Sequence, residues 1–150
     1  MKPMAIAAVA LLLMAGPVAE IAADDSEDII KYRQKAMASQ GGHVSAMSQI
    51  VRGKVSYTEH MKAHAVGVAG VAGHIKSMFP EGSDFGVTDA KMEIWERWAD
   101  FEKAADEAKE AADALVVAVD SGDKAAIGDA FKTLGESCKG CHEDFKEDDD

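Results

Sequence analysis

The residues with the most specific chemistry lie near the C-terminus, in the run Cys138-Lys139-Gly140-Cys141-His142. Two thiols three residues apart lie close together on one face of a helix. Each can add across one vinyl group of a haem, and the histidine that follows then directs its imidazole at the iron. C-x-x-C-H is the attachment pattern of c-type haem. Three other uses of two cysteines fit the sequence less well. A thioredoxin-like redox pair belongs to a βαβ context, and no segment here alternates with period two. A disulfide between these two positions closes a very short loop and stabilises little. A structural zinc site needs four ligands and so a second cluster.

Such a motif has to be carried by elements that enclose a large flat group. Four stretches have helical apolar spacing. The first starts at Ser26, runs through Ile30, Arg33/Gln34, Met37, Gln40/Gly41, Val44, Met47 and Val51, and closes at Gly53. The second opens on Ser56-Tyr57-Thr58-Glu59, which has the form of a capping box. Its stripe is Met61, Ala65, Val68, Ala72, Ile75 and Phe79. After a loop containing Pro80, Gly82 and Gly86, Thr88 or Asp89 is the expected cap of a third helix, with the stripe Ile94, Trp98, Phe101, Ala105, Ala108, Ala112, Leu115 and Val119. Ser121-Gly122 ends it, Asp123 restarts the chain, and the fourth stripe is Ile127, Phe131, Leu134, Cys138, Cys141 and Phe145. Four amphipathic helices with mostly short connections predict an all-α, antiparallel four-helix bundle. Cys138 and Cys141 lie on the inward stripe, so a haem attached there enters the bundle core.

Residues 1–23 read as a secretory signal peptide. Lys2 is followed by an apolar run from Ala5 to Ala15, too short to span a bilayer. Gly16-Pro17 and the small residues Ala19, Ala22 and Ala23 come next. With cleavage after Ala23, residues 24–150 form one domain, and a bacterial periplasmic location is expected. The chain of 150 residues has 16 Lys+Arg against 27 Asp+Glu, a net charge of −11. Lys2 and Glu20 cancel, so processing leaves it unchanged. That charge excludes nucleic acid, which requires a basic face, and also an anionic membrane surface. It predicts a redox partner with a basic docking patch and an association rate that falls as salt rises.

Residues 26–146 resemble the class II c-type cytochromes, the cytochrome c′ family. The resemblance is carried by Tyr32-Arg33-Gln34, Gly41-Gly42, Phe79-Pro80-Glu81-Gly82-Ser83, Thr88-x-Ala90-Lys91 with Ile94-Trp95, and Cys138 to Phe145. The haem motif in the last helix, where most c-type cytochromes have it near the N-terminus, is the most specific marker. The resemblance implies one haem c per chain, held by thioethers at Cys138 and Cys141 with His142 as proximal iron ligand. It implies that Arg33 approaches a haem propionate and that Met37 faces the distal side of the iron. Where the family often has Arg four residues after the ligating histidine, this chain has Lys146, which lacks the planar fork.

Met37 decides the function. If its sulfur binds iron, the haem is six-coordinate and suits electron transfer, the leading expectation. If Met37 only packs over the iron, the haem is five-coordinate and the distal pocket, lacking a strong hydrogen-bond donor, admits nitric oxide or carbon monoxide. His43 is a weaker rival for the sixth position. No acid/base constellation of an enzyme stands out. His60, His64 and His74 share a flank of the second helix that reads as solvated, although the pair His60/His64 has metal-binding spacing. Gly67, Gly70 and Gly73 on that helix imply close approach by a neighbour, either within the chain or in a homodimer through the first and second helices, as the resemblance implies.

Overall fold

The computed structural model describes residues 25–147. The signal-peptide segment 1–23 lies outside them. α1 (Ser26–Val51) is capped by Asp25, one residue before the expected start, whose carboxylate accepts from the Glu27 amide at 2.8 Å. Gly53, at φ +65°, turns the chain out of α1. α2 (Met61–Ala72) is preceded by a 3₁₀ turn, Thr58–His60, and followed by another, Lys76–Met78. The capping box expected at Ser56–Glu59 does not form. The Ser56 carbonyl instead accepts from the Thr58 amide in a tight backbone turn at 2.8 Å, and α2 begins without a side-chain cap.

The expected third helix is split into α3 (Glu93–Glu96) and α4 (Trp98–Ser121), with Arg97 between them at φ −118°, ψ 44°. It also starts later than Thr88 or Asp89. The Thr88 hydroxyl accepts from Arg33 Nη2 at 2.8 Å and from the Ala90 amide at 3.2 Å, so it serves a loop rather than a helix end. Gly122, in the left-handed region at φ +70°, ends α4, a conformation glycine adopts without steric cost. Asp123 caps α5 (Lys124–Phe145) by accepting from the Ala125 and Ala126 amides.

The four long helices form the expected all-α bundle, and the only extended pairing among the described residues is an isolated antiparallel bridge between Ala90 and Lys146. Ala65, Val68 and Ala72 of α2, Phe101, Ala105, Ala108, Ala112 and Leu115 of α4, and Ile127, Leu134 and Phe145 of α5 are buried along the expected stripes. The many buried alanines bring backbones close where α1 packs on α2, α2 on α4, and α4 on α5. Between α1 and α5 there is no comparable seam, and a cavity lies there instead. No described helix is long and apolar enough to cross a membrane.

Candidate haem site

The cavity has a volume of about 460 Å³, within the ordinary range for cofactor pockets. α5 supplies one wall with Cys138, Cys141, His142, Phe145 and the following Lys146, and α1 supplies the facing wall with Arg33, Gln34, Met37, Ala38 and Gln40. Ile75, Phe79, Ile94, Phe101 and Ala108 line the interior between them. The structure thus brings together all five residues predicted for the site: Cys138, Cys141, His142, Arg33 and Met37.

The two cysteines are half-buried one helical turn apart, and no disulfide joins them. Burial raises the pKa of both thiols. Cys141 is pushed up to about 11 by burial first, then by the neighbouring Cys138 and Asp144. Cys138 is raised by burial against the opposing pull of hydrogen bonds. A redox-active or metal-binding thiol is marked by the opposite shift, toward the thiolate. Two neutral thiols on an apolar wall suit a site where a covalently attached group packs. His142, the next residue, stands at the exposed edge of the same wall. Two thiols and an imidazole at one side of an apolar cavity form the donor set of haem c, and these residues fit that group.

Aromatic side chains gather at this end of the bundle. Phe101 meets Phe79 edge-on at 4.8 Å and Phe145 at 5.4 Å between ring centroids, the offset geometry that such pairs prefer. Trp98 lies 5.4 Å from Phe101 and Trp95 lies 6.0 Å from Phe79. Both tryptophans are half-buried at this cluster, because the break at Arg97 puts them on separate helices.

Arg33 is almost wholly buried at 3% exposure. Nη2 donates to the Ser83 carbonyl at 2.9 Å and to Thr88 Oγ1 at 2.8 Å, and Nη1 donates to Ser83 Oγ at 3.1 Å. Its guanidinium carbon sits 4.6 Å from the Phe79 ring centroid. Burial lowers its pKa, yet arginine stays protonated, and charged hydrogen bonds of this kind contribute more than neutral ones. Ser83, fully buried, donates in turn to the Pro80 carbonyl, which also accepts from Trp95 Nε1 at 3.1 Å. Arg33 therefore ties the 79–88 loop down as a wall of the cavity.

Met37 is half-buried on the α1 wall. Gln40, one turn further along α1, is buried on the same wall, and its Nε2 donates to the Val68 carbonyl at 3.4 Å. Gln40 lies on the expected α1 stripe, and its position three residues after Met37 is the sequence signal for a place at the site. The distal wall is therefore less purely apolar than expected. His43 is not among the cavity-lining residues. Its Nδ1 lies 3.1 Å from His64 Nδ1 of α2, and its ring lies over Gly67, where a Cβ would come within 2.5 Å of Nε2. His64 is accordingly half-buried and partnered rather than on a solvated flank, whereas His60 and His74 are exposed. The glycines of α2 divide likewise: Gly67 and Gly73 have close neighbours within the chain, in His43 and Lys109, and Gly70 faces open space.

An antiparallel four-helix bundle whose open seam is flanked by C-x-x-C-H defines a c-type haem protein of the class in which the haem motif sits on the last helix. The comparisons agree. Residues 28–146 match the profile of the Cytochrome C' family, and cytochrome c′ is itself a standard example of the up-down bundle. The chain is 36% identical to cytochrome c' of Pararhodospirillum photometricum over 122 residues, 81% of this chain and 98% of that one. The solved cytochrome c prime of Shewanella frigidimarina superposes with a TM-score of 0.80 at 34% identity, covering 85% of this chain and all of that one. That of Alcaligenes xylosoxidans, in the nitric oxide complex of a single-residue mutant, gives 0.77 at 30% identity over 83% and 97%. The chain belongs to the cytochrome c′ family. It is a bacterial periplasmic protein carrying a single covalently attached haem c, and a member of a non-catalytic family rather than an enzyme.

If Arg33 is the anchor of the loop, replacing it with Met leaves Ser83 and Thr88 without their charged donor. The expected loss is at least about 1.5–3 kcal/mol, the contribution of hydrogen bonds to a charged group. Limited proteolysis should then cut the variant between residues 79 and 92 faster than the wild type. Equal cleavage rates would show that Arg33 does not hold the loop.

Proposed function

We propose that this protein binds a small uncharged diatomic gas, nitric oxide or carbon monoxide, at the α1 side of a five-coordinate haem, with Met37 packing over the iron. The observation that carries this reading is the composition of the α1 wall. Arg33, Gln34, Met37, Ala38 and Gln40 line it, and none of them brings an imidazole or an amine. His43, the one nitrogen ligand on α1 that rivalled Met37, is engaged with His64. Held by Cys138, Cys141 and His142, a haem would supply an iron for the gas to bind, and the α1 wall would line the cavity opposite those residues. Met37 narrows access, and Gln40 holds the only buried side-chain amide there, next to whatever occupies the space. Support also comes from the Alcaligenes xylosoxidans relative, single-residue variants of which are solved with nitric oxide bound and, in one case, with carbon monoxide bound.

Electron transfer is the second reading, and one observation favours it: the Met37 thioether is an iron-binding group on that wall. Sulfur ligation raises the potential and favours the reduced state. The reduced optical spectrum separates the two. Gas binding predicts a broad high-spin spectrum that shifts on adding carbon monoxide and changes little in Met37→Ala. Sharp split bands that ignore carbon monoxide, and that convert to the high-spin form in Met37→Ala, would replace the gas-binding reading with the carrier.

A homodimer through α1 and α2 is supported by Val66, 49% exposed, and by Gly70, one turn further on the same face with open space above it. Sedimentation should show a dimer that Val66→Glu dissociates. A wild-type chain that stays monomeric at high concentration would remove this part of the proposal.

A further inference from the structure

Outside the haem cavity, the described residues hold one place where two metal-ligating nitrogens face each other. His43 of α1 and His64 of α2 present their Nδ1 atoms across the helix contact at 3.1 Å, with ring planes tilted by 58° and centroids 5.4 Å apart. Both rings are half-buried, so both can be reached from solvent. We propose that His43 and His64 form a chelating site for a divalent transition-metal ion of the zinc or copper type, bridging α1 and α2.

The spacing favours a chelate. Metal–imidazole bonds of about 2.0–2.1 Å hold two nitrogens roughly 3.3–3.4 Å apart at a tetrahedral angle and about 2.9 Å apart at a right angle. The observed 3.1 Å lies between these values, and turning each ring so that its lone pair is aimed at a shared ion rather than at the other nitrogen completes the chelate. The site is also built into the backbone. The His43 ring takes its position only because residue 67 lacks a Cβ: one placed there would lie 2.5, 2.7 and 2.9 Å from three ring atoms. A glycine inside a helix costs up to about 1 kcal/mol relative to alanine, and here it makes room for one imidazole directed at another.

His60, one turn before His64, is turned elsewhere. Its ring stacks on Tyr57 at 5.2 Å, and its Nε2 lies 3.7 Å from a Glu59 carboxylate oxygen. Among the described residues no third His, Cys, Asp or Glu joins the pair. The protein therefore supplies two nitrogens, and water completes the coordination. An ion held there links α2 to α1 one turn beyond Gln40 and two turns beyond Met37.

The experiment is calorimetric titration of the haem-loaded full chain with zinc chloride in a non-chelating buffer near neutral pH. One ion per chain should bind. His43→Asn and His64→Asn should each weaken binding by at least about tenfold, since loss of even an outer-sphere partner costs 10–100-fold. His60→Asn and His74→Asn should leave it unchanged. The haem spectrum reports whether each variant is folded. Copper(II) bound to the unmodified protein should show electron paramagnetic hyperfine structure from two imidazole nitrogens, a measurement that needs no variant. Absence of saturable binding would mean that the pair is only a hydrogen bond between neutral rings, and the proposal would fall. Binding that survives both substitutions would overturn it too, by placing the ion on the acidic surface.

Discussion

The structure depends on a seam that does not close. α1 packs on α2, α2 on α4 and α4 on α5, with alanines along the facing stripes. That chain of contacts would leave α1 and α5 to meet and complete the bundle. They hold a cavity apart instead, with the two thiols on one side and Met37 and Gln40 on the other. Interiors are otherwise packed to crystal density, so an apolar gap of this size calls for an occupant. The family's covalent haem c would fill the seam, with Cys138, Cys141 and His142 of α5 placed to hold it. This also explains why a chain with only nine aromatic residues can hold a core at that end. Phe79, Phe101 and Phe145 line the cavity with the two tryptophans packed behind them, where a flat apolar partner would lie.

Keeping such a gap open requires a rigid rim, and the polar network around Arg33 supplies it. A buried cation is tolerated only when its donors are satisfied. Here Ser83, Thr88 and the Phe79 ring serve that purpose, and among the described residues no buried side-chain nitrogen or oxygen lacks a partner. The 79–88 loop thereby becomes a wall of the site. At the far end of the same connection the Ala90–Lys146 bridge ties it to the end of α5, with the Lys91 amide donating to the Phe145 carbonyl at 3.0 Å. Loop and haem-bearing helix are thus held together on either side of Lys146, by this bond and by the Glu147 amide donating to the Asp89 carbonyl at 2.8 Å.

Much of this was legible in the chain itself. Cys138, Cys141 and His142 were readable because covalent attachment demands fixed residue types at fixed spacing. The four stripes were readable because burial imposes helical periodicity, and Gly122 and Asp123 because helix ends use local chemistry. What escaped depended on contacts distant in sequence. Thr88 has the chemistry of a cap, but Arg33, 55 residues away, takes its hydroxyl. The box at Ser56–Glu59 lost to a tight backbone turn. Gln40 lay in view on the stripe, yet only the geometry of the open seam makes it a neighbour of Met37. His64 has the spacing of a solvated flank, and its partner His43 comes from another helix through the space left by Gly67.

The central claim is that one haem c occupies the α1/α5 seam, bound covalently to α5. Intact mass measurement of the purified protein after acidic acetone extraction tests it most directly, because the extraction strips haem held only by coordination. The account predicts that the chain keeps the mass of one haem and that, after digestion, the peptide spanning residues 138–142 carries it. A bare polypeptide with two free thiols, from cells that attach haem to other c-type cytochromes, would contradict it.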